Sequence, residues 1–559
     1  MAKRWLRAVP LLSLLLLMAI MVVACGSSEE SDGGSDGGSS STSTSSDGTA
    51  ASTDGEGSGG VLRIGMTAGN LPFPNTPPNE GFEGRRFVGY QIYDALYSYD
   101  LYQGDHVPTP QLNLAESVEV SDDKLTWTFK LRQDVTFHDG TTFDAEDVIF
   151  NFRRVRDPEF EYYDATLAGS AGSAFATIAS WEMIDQYTVA ITTVRPNAFL
   201  PYDLVYIYMA SPEVVMEYGN DDYINHATGT GPFKMTKYVD GQVMELTANE
   251  EYFKGRPKLD QMILYPMPEP ATRLAALQAG DIDWAELPPP DSVQQLESQG
   301  FNVSLKNYPH IIAYYVNLVT SEPLKDLRVR QALAYAADRE GVSTLINNVG
   351  EPIHQYFVEG SSWYDPEWEG YDYDPEKAKQ LLADAGYADG LTLKLAYPTG
   401  GSGNMFPGPM NEKLKQDYAA VGITLELVPL EWNNIITAYR EGFANPSWSQ
   451  YDLLYFSNAP LAPTFARAFV SDYIQPNGCC NPSNYSNPEV DRLYKEAEAN
   501  FDVEEQNKLL AKAQSLAMQD VAAFGTVTDL NLRVMSPKVK GFVQSQSWFL
   551  DLTQIWMEE

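Results

Sequence analysis

Cysteine is nearly missing from this chain, with three residues in 559, at positions 25, 479 and 480. A disulfide framework is therefore excluded as the source of stability, and an apolar core must supply it. Positive charge is also short: 38 Lys and Arg stand against 76 Asp and Glu, a formal charge of −38. Such a field repels phosphate backbones and no basic stripe offsets it, which argues against a nucleic-acid partner. The histidines, at 106, 138, 226, 310 and 354, show no HxxxH or HxxE spacing, so no metal site is expected. No nucleophile–base pair stands out, and neither catalytic residues nor a cofactor are expected. After the first 24 residues no apolar run is long enough to span a bilayer.

That first run has its own meaning. Lys3, Arg4 and Arg7 precede apolar residues from Ala8 to Ala24, interrupted by Pro10 and Ser13. A basic start, a short apolar stretch and a small residue at the end predict an export signal over residues 1–24. Val22-Val23-Ala24-Cys25 resembles the lipobox of bacterial lipoproteins. The resemblance implies that Cys25 is lipidated, becomes the mature N-terminus and tethers the protein to a membrane. Residues 25–60 then read as a linker, since positions 26–60 hold almost only Gly, Ser, Thr, Asp and Glu and cannot bury a core. Such a coil spans roughly 30–35 Å. Within it, Gly33-x-Ser35-x-Gly37 mimics a hydrolase elbow and Gly55-x-Gly57-x-x-Gly60 a dinucleotide fingerprint. Each would need a preceding strand and a following helix, and neither has them.

From Val61 the composition becomes globular. Alternating runs predict strands at 61–67, 125–132 and 187–193, and further strands at 391–397, 423–430 and 451–456. Asp144 with Asp147 predicts a capped helix through Phe152, stopped at Asp157-Pro158. Asp374-Pro375, Asn487-Pro488 and Asp502 with Glu505 open three more, the first closing at Gly386. Strands alternating with helices imply α/β layering.

The order of blocks is itself informative. YDALYSYD (93–100), a long block ending in DAEDVIFNF at 152, GTGPFKM (229–235) and LRVRQALAYAADRE (327–340) follow one another. With DPEKAKQLLADAGY (374–387) and GITLELVPLEW (422–432), they resemble the family 5 extracytoplasmic solute-binding proteins of ABC importers. That resemblance covers nearly all of 61–559. It implies an α/β, two-lobed periplasmic-binding-protein fold with a hinge and an extra subdomain in the N-terminal lobe. The N-terminal lobe would run over 61–306 with its insertion at about 101–210. The C-terminal lobe would cover 307–520, and 521–559 would return to the first. The implied function is capture of a peptide-like solute between the lobes and delivery to membrane permease subunits, by a monomer. An oligosaccharide receptor of the same fold and a sensory module not coupled to import are the alternatives.

By the same resemblance, Trp432 lines a side-chain pocket, Phe456 supplies an aromatic wall, and Asn458 falls where peptide-binding members carry an acidic anchor. Segment 397–411 holds no charge, and in 453–471 Arg467 is the one ionisable residue, able to serve a carboxylate but not an ammonium. Unpaired buried charges cost several kcal/mol, so a free dipeptide held by both ends is not expected. His138, in a Phe-His-Asp-Gly turn, is expected to be structural. For Cys479 and Cys480 a vicinal disulfide and free thiols both stay open: neighbouring Cα atoms lie about 3.8 Å apart, below the usual disulfide span.

Overall fold

The computed structural model describes residues 57–68 and 83–559. Cys25, the export signal and most of the expected linker lie outside the described residues. The linker boundary at residue 60 needs correction. The Gly59 amide donates to Lys258 O (2.6 Å) and its carbonyl accepts from Met557 N (3.0 Å). The Gly60 amide donates to Asp260 Oδ2 (2.8 Å). Backbone paired on both sides is already folded structure, so the last four residues of that segment belong to the body.

Three sheets organise the chain. A seven-stranded sheet orders Asn302–Ser304, Arg533–Met535, Trp284–Glu286, Val61–Met66, Gln261–Pro266, Val243–Ala248 and Phe233–Val239. Val61–Met66 is central and parallel to both neighbours, with Ile64 opposite Leu264 and Trp284. A six-stranded sheet orders Gly350–Pro352, Ala523–Asp529, Ile311–Val316, Leu453–Asn458, Leu391–Pro398 and Ile423–Leu430. An antiparallel four-stranded sheet, Ala115–Val120, Thr126–Leu131, Thr188–Thr193 and Ile178–Asp185, forms the third. Helices cover these sheets, which gives the α/β class.

The chain passes between the two large sheets twice, between Ser304 and Ile311 and again between Asp529 and Arg533. The second passage lies later than the residue 520 expected. Every residue of Ala523–Asp529 is buried, and the strand pairs with Ile311–Val316 on one side and Gly350–Pro352 on the other. It cannot leave the second sheet without abandoning both ladders. A buried cluster stands beside the two passages. The Glu286 carboxylate accepts from Arg533 Nε (2.7 Å), Trp284 Nε1 (2.7 Å) and Arg86 Nη1, and Tyr308 Oη donates to Asp529 Oδ2 (3.1 Å).

Local signals produced the local structure. Asp144 accepts from Glu146 N (2.8 Å) and Asp147 accepts from Asp144 N (2.7 Å), a reciprocal cap for helix Ala145–Arg156. Asp374, Asn487 and Asp502 cap helices Pro375–Asp384, Pro488–Ala499 and Val503–Gln519. His138 ties two turns together: Gly229 N donates to Nδ1 (3.4 Å), and Nε2 lies 2.9 Å from Gly231 O. Burial pushes this imidazole down to about 4, so it is neutral near pH 7. Gly229 must be glycine, because a Cβ there would come within 2.3 Å of the Ile92 carbonyl oxygen. Among the described residues no helix is long and apolar enough to cross a membrane.

Candidate functional site

A cavity of about 770 Å³ opens between the lobes, within the range of small-molecule sites. One wall is helix Trp432–Glu441. Trp432, Ile436, Tyr439 and Arg440 recur at helical spacing and all face the cavity. Strand Leu453–Asn458 adds Phe456, Ser457 and Asn458. The rings of Tyr439 and Phe456 stack at 4.0 Å and 8°, and Trp432 stacks on Phe456 at 5.2 Å and 30°. Three rings locked face to face make a rigid apolar wall that loses little entropy on meeting a ligand. Gly401, at φ +104°, passes over this wall; a Cβ there would lie 2.6 Å from Trp432.

The structure thus brings Trp432, Phe456 and Asn458 to one cavity. Asn458 is buried, and its amide donates to Tyr356 Oη (2.6 Å) and Tyr315 Oη (3.4 Å). Burial holds both phenols well above their ordinary pKa, so they stay neutral. Arg467 requires a correction. It was read as able to serve a ligand carboxylate, but its two Nη atoms donate to Asp203 at 2.9 and 2.8 Å, and Nε donates to Tyr494 Oη (3.1 Å). Both charges are more than nine-tenths buried. The ligand role fails because the partner sits 264 positions away in the other lobe.

That ion pair is one of several links across the cavity. Arg195 pairs with Glu498 (2.5 Å), and the Glu83 amide donates to Ser402 Oγ (3.1 Å). His310, on the first passage between lobes, lines the cavity too, with Nε2 3.4 Å from Ser457 Oγ and Nδ1 3.3 Å from Asp529 Oδ2. Cys479 and Cys480 also reach the lining, with their Sγ atoms within bonding distance.

This architecture has known counterparts. The model of the bacterial extracellular solute-binding proteins, family 5, matches residues 109–477. Heme-binding protein A of Haemophilus influenzae is 30% identical over 485 residues, 81% of this chain and 85% of that one. The chain belongs to family 5 of the bacterial extracellular solute-binding proteins. Di/tripeptide-binding protein 2 of Pseudomonas aeruginosa is 27% identical over 403 residues, 68% of this chain and 74% of that one. In solved structures, the periplasmic binding protein DppA of Helicobacter pylori, in complex with peptide STSA, superimposes with a TM-score of 0.76 at 22% identity. It covers 90% of this chain and 99% of that one. The two-lobed periplasmic-binding-protein fold follows.

In this family 5 protein, sequence reasoning missed Tyr439, Arg440, Arg85 and Asp203. Tyr439 and Arg440 were within reach: they lie seven and eight positions after Trp432, so one helix puts all three on one face. Asp203 and Arg85 carried no comparable signal, because only the closure of two lobes brings them to the cavity.

Proposed function

We propose that this chain is the solute receptor of an ABC importer that takes a peptide-like solute into the interlobe cavity and presents it to the permease. In this reading it works as a monomer, held at the outer face of a membrane through Cys25. The observation that carries the proposal is the cavity itself, enclosed by both lobes and walled by stacked aromatic rings. Its volume and its mixture of rings and polar atoms suit a short peptide. The Pseudomonas relative, a di/tripeptide-binding protein, and the Helicobacter protein, in complex with a peptide, support the same class. The Haemophilus relative shows how far solutes can diverge within the family, so the class is supported by the cavity as much as by likeness.

A solute that binds the closed protein and not the unfolded chain adds RT ln(1 + [L]/Kd) to stability, about 2.7 kcal/mol at a hundredfold excess over Kd. A thermal-shift screen of di- to pentapeptides and oligosaccharides is expected to show a clear rise for peptides. Small-angle scattering should show the same peptides compacting the particle. A rise confined to oligosaccharides would overturn the peptide assignment; binding with no compaction would overturn lobe closure.

A further inference from the structure

Two of the three cysteines in the chain stand side by side in the cavity wall. Cys479 and Cys480 are bonded to each other, and every residue from 475 to 480 lines the cavity. A cross-link stabilises a fold by closing a loop of the unfolded chain, and the gain grows with the length of that loop. A bridge between neighbours closes the shortest loop a chain allows, so it adds little to global stability. Its effect is local: a small ring that fixes the peptide unit between the two cysteines. Cys480 carries the constraint, with φ +139°, a conformation that L residues rarely adopt and that the surrounding structure must impose.

The turn that the ring holds is built into the wall. Gly478 packs so closely on Tyr473 that a Cβ there would lie 2.8 Å from the Tyr473 Cα. The amides of Cys480 and Asn481 both donate to Tyr473 O at 3.4 Å. The Tyr473 ring lies 5.2 Å from the Arg467 guanidinium, beside the Arg467–Asp203 pair that joins the lobes. At the start of the turn, Gln475 Nε2 donates to Arg440 O (3.1 Å), in the last turn of helix Trp432–Glu441. Both cysteines are half-buried, and Gln475, Pro476 and Asn477 beside them are exposed, so the bridge lies within reach of a small thiol.

We propose that the Cys479–Cys480 bridge is a redox switch on the solute cavity: bridged, it holds this turn in the wall; reduced, it releases the turn and weakens solute capture. The switch goes beyond the receptor role and uses its solute only as a readout. An external dithiol supplies the electrons. One of its thiolates attacks a cysteine sulfur, the bond between the cysteines breaks, and the other cysteine leaves as a thiolate that takes a proton. The second thiolate of the dithiol then displaces the attacked cysteine. The dithiol departs as its own disulfide, and the chain gains two electrons and two protons. With the ring open, Cys480 is free to leave its positive φ, and the bonds to Tyr473 O loosen with it.

The full chain, purified without reductant, tests this. Iodoacetamide labelling read by peptide mass should be absent at Cys479 and Cys480 as purified, and complete at both after dithiothreitol. Hydrogen exchange in 473–481 should rise on reduction, while strand Ala523–Asp529 stays unchanged. Calorimetry with a tripeptide should show a Kd about tenfold weaker in the reduced protein, as the population with the turn in place falls, and reoxidation should restore it. Cys479→Ser with Cys480→Ser should bind like the reduced protein, ignore dithiothreitol and melt close to the parent. Free thiols as purified, or equal peptide affinity in the two redox states, overturns the switch and leaves the receptor standing. If a tripeptide library binds neither state, the peptide reading fails and hydrogen exchange decides the switch alone. Faster exchange confined to 473–481 then supports it, and an unchanged profile overturns it.

Discussion

Replacing Asp203 by alanine removes the carboxylate that holds Arg467 across the cavity. Two charge-assisted bonds, at 2.9 and 2.8 Å, disappear, each contributing about 1.5–3 kcal/mol. Arg467 then stays buried with only Tyr494 as a neutral acceptor, and breaking a buried pair from one side costs about 3–5 kcal/mol. Because the partners belong to different lobes, the protein has an escape that a core ion pair lacks: it can open and let water reach the guanidinium. The cost should therefore fall on closure more than on folding. If about 3 kcal/mol falls there, the closed, binding-competent population drops and the apparent Kd rises about a hundredfold. Scattering on the empty and ligand-loaded variant, with peptide calorimetry, reads both effects. The expected result is a larger particle, weaker binding and a melting temperature lowered by less than the full cost implies. A variant that melts far lower yet binds peptide as tightly as the parent would refute the reasoning, since the pair would then stabilise the fold and not the closed state. Replacing both partners, as Asp203→Leu with Arg467→Met, should restore most of the closure, because an apolar pair leaves no orphaned charge.

Two other expectations concern parts away from the cavity. Cys25→Ser should move the protein from the membrane to the soluble fraction; equal membrane retention would remove the lipid-anchor proposal. The His138 imidazole has a folded pKa of about 4 against an ordinary 6.5, so below about pH 6.5 the unfolded chain binds a proton that the folded chain refuses. Stability should then fall as pH drops from about 6.5 to 4, by at most about 3 kcal/mol since the ring is only partly enclosed. His138→Gln should flatten denaturation midpoints over that window, and an unchanged slope would contradict the assignment.

Much of the fold was legible because its signals are short-range. Asp144, Asp374, Asn487 and Asp502 each satisfy backbone amides within three residues, and the helices begin where those caps stand. The strand Ile423–Leu430 showed its period of two and keeps it over its first half, with Ile423 and Leu425 buried and Thr424 and Glu426 exposed. The second lobe passage was misplaced for an equally physical reason. Ala523–Asp529 carries Gly525 and Asp529 yet runs as one buried strand to its end, so its turn-type residues mark no change of sheet, and the turn comes only at Asn531, with φ +57°. At the cavity, Trp432 and Phe456 were visible as aromatics in recognisable blocks. The charges were not. A window from 453 to 471 shows Arg467 but not the Asp203 that consumes it, and an uncharged window from 397 to 411 says nothing of cations arriving on a neighbouring helix and the opposite lobe. Ion pairing across a cleft is a property of the closed lobes, and no local pattern encodes it.

The central claim, one solute captured between two lobes, is tested most directly by native mass spectrometry of the full chain as purified. The account predicts a 1:1 adduct of peptide mass that survives desalting and is lost, or sharply reduced, in Asp203→Ala. A protein that carries no adduct as purified, and acquires none when incubated with a tripeptide library, would contradict it.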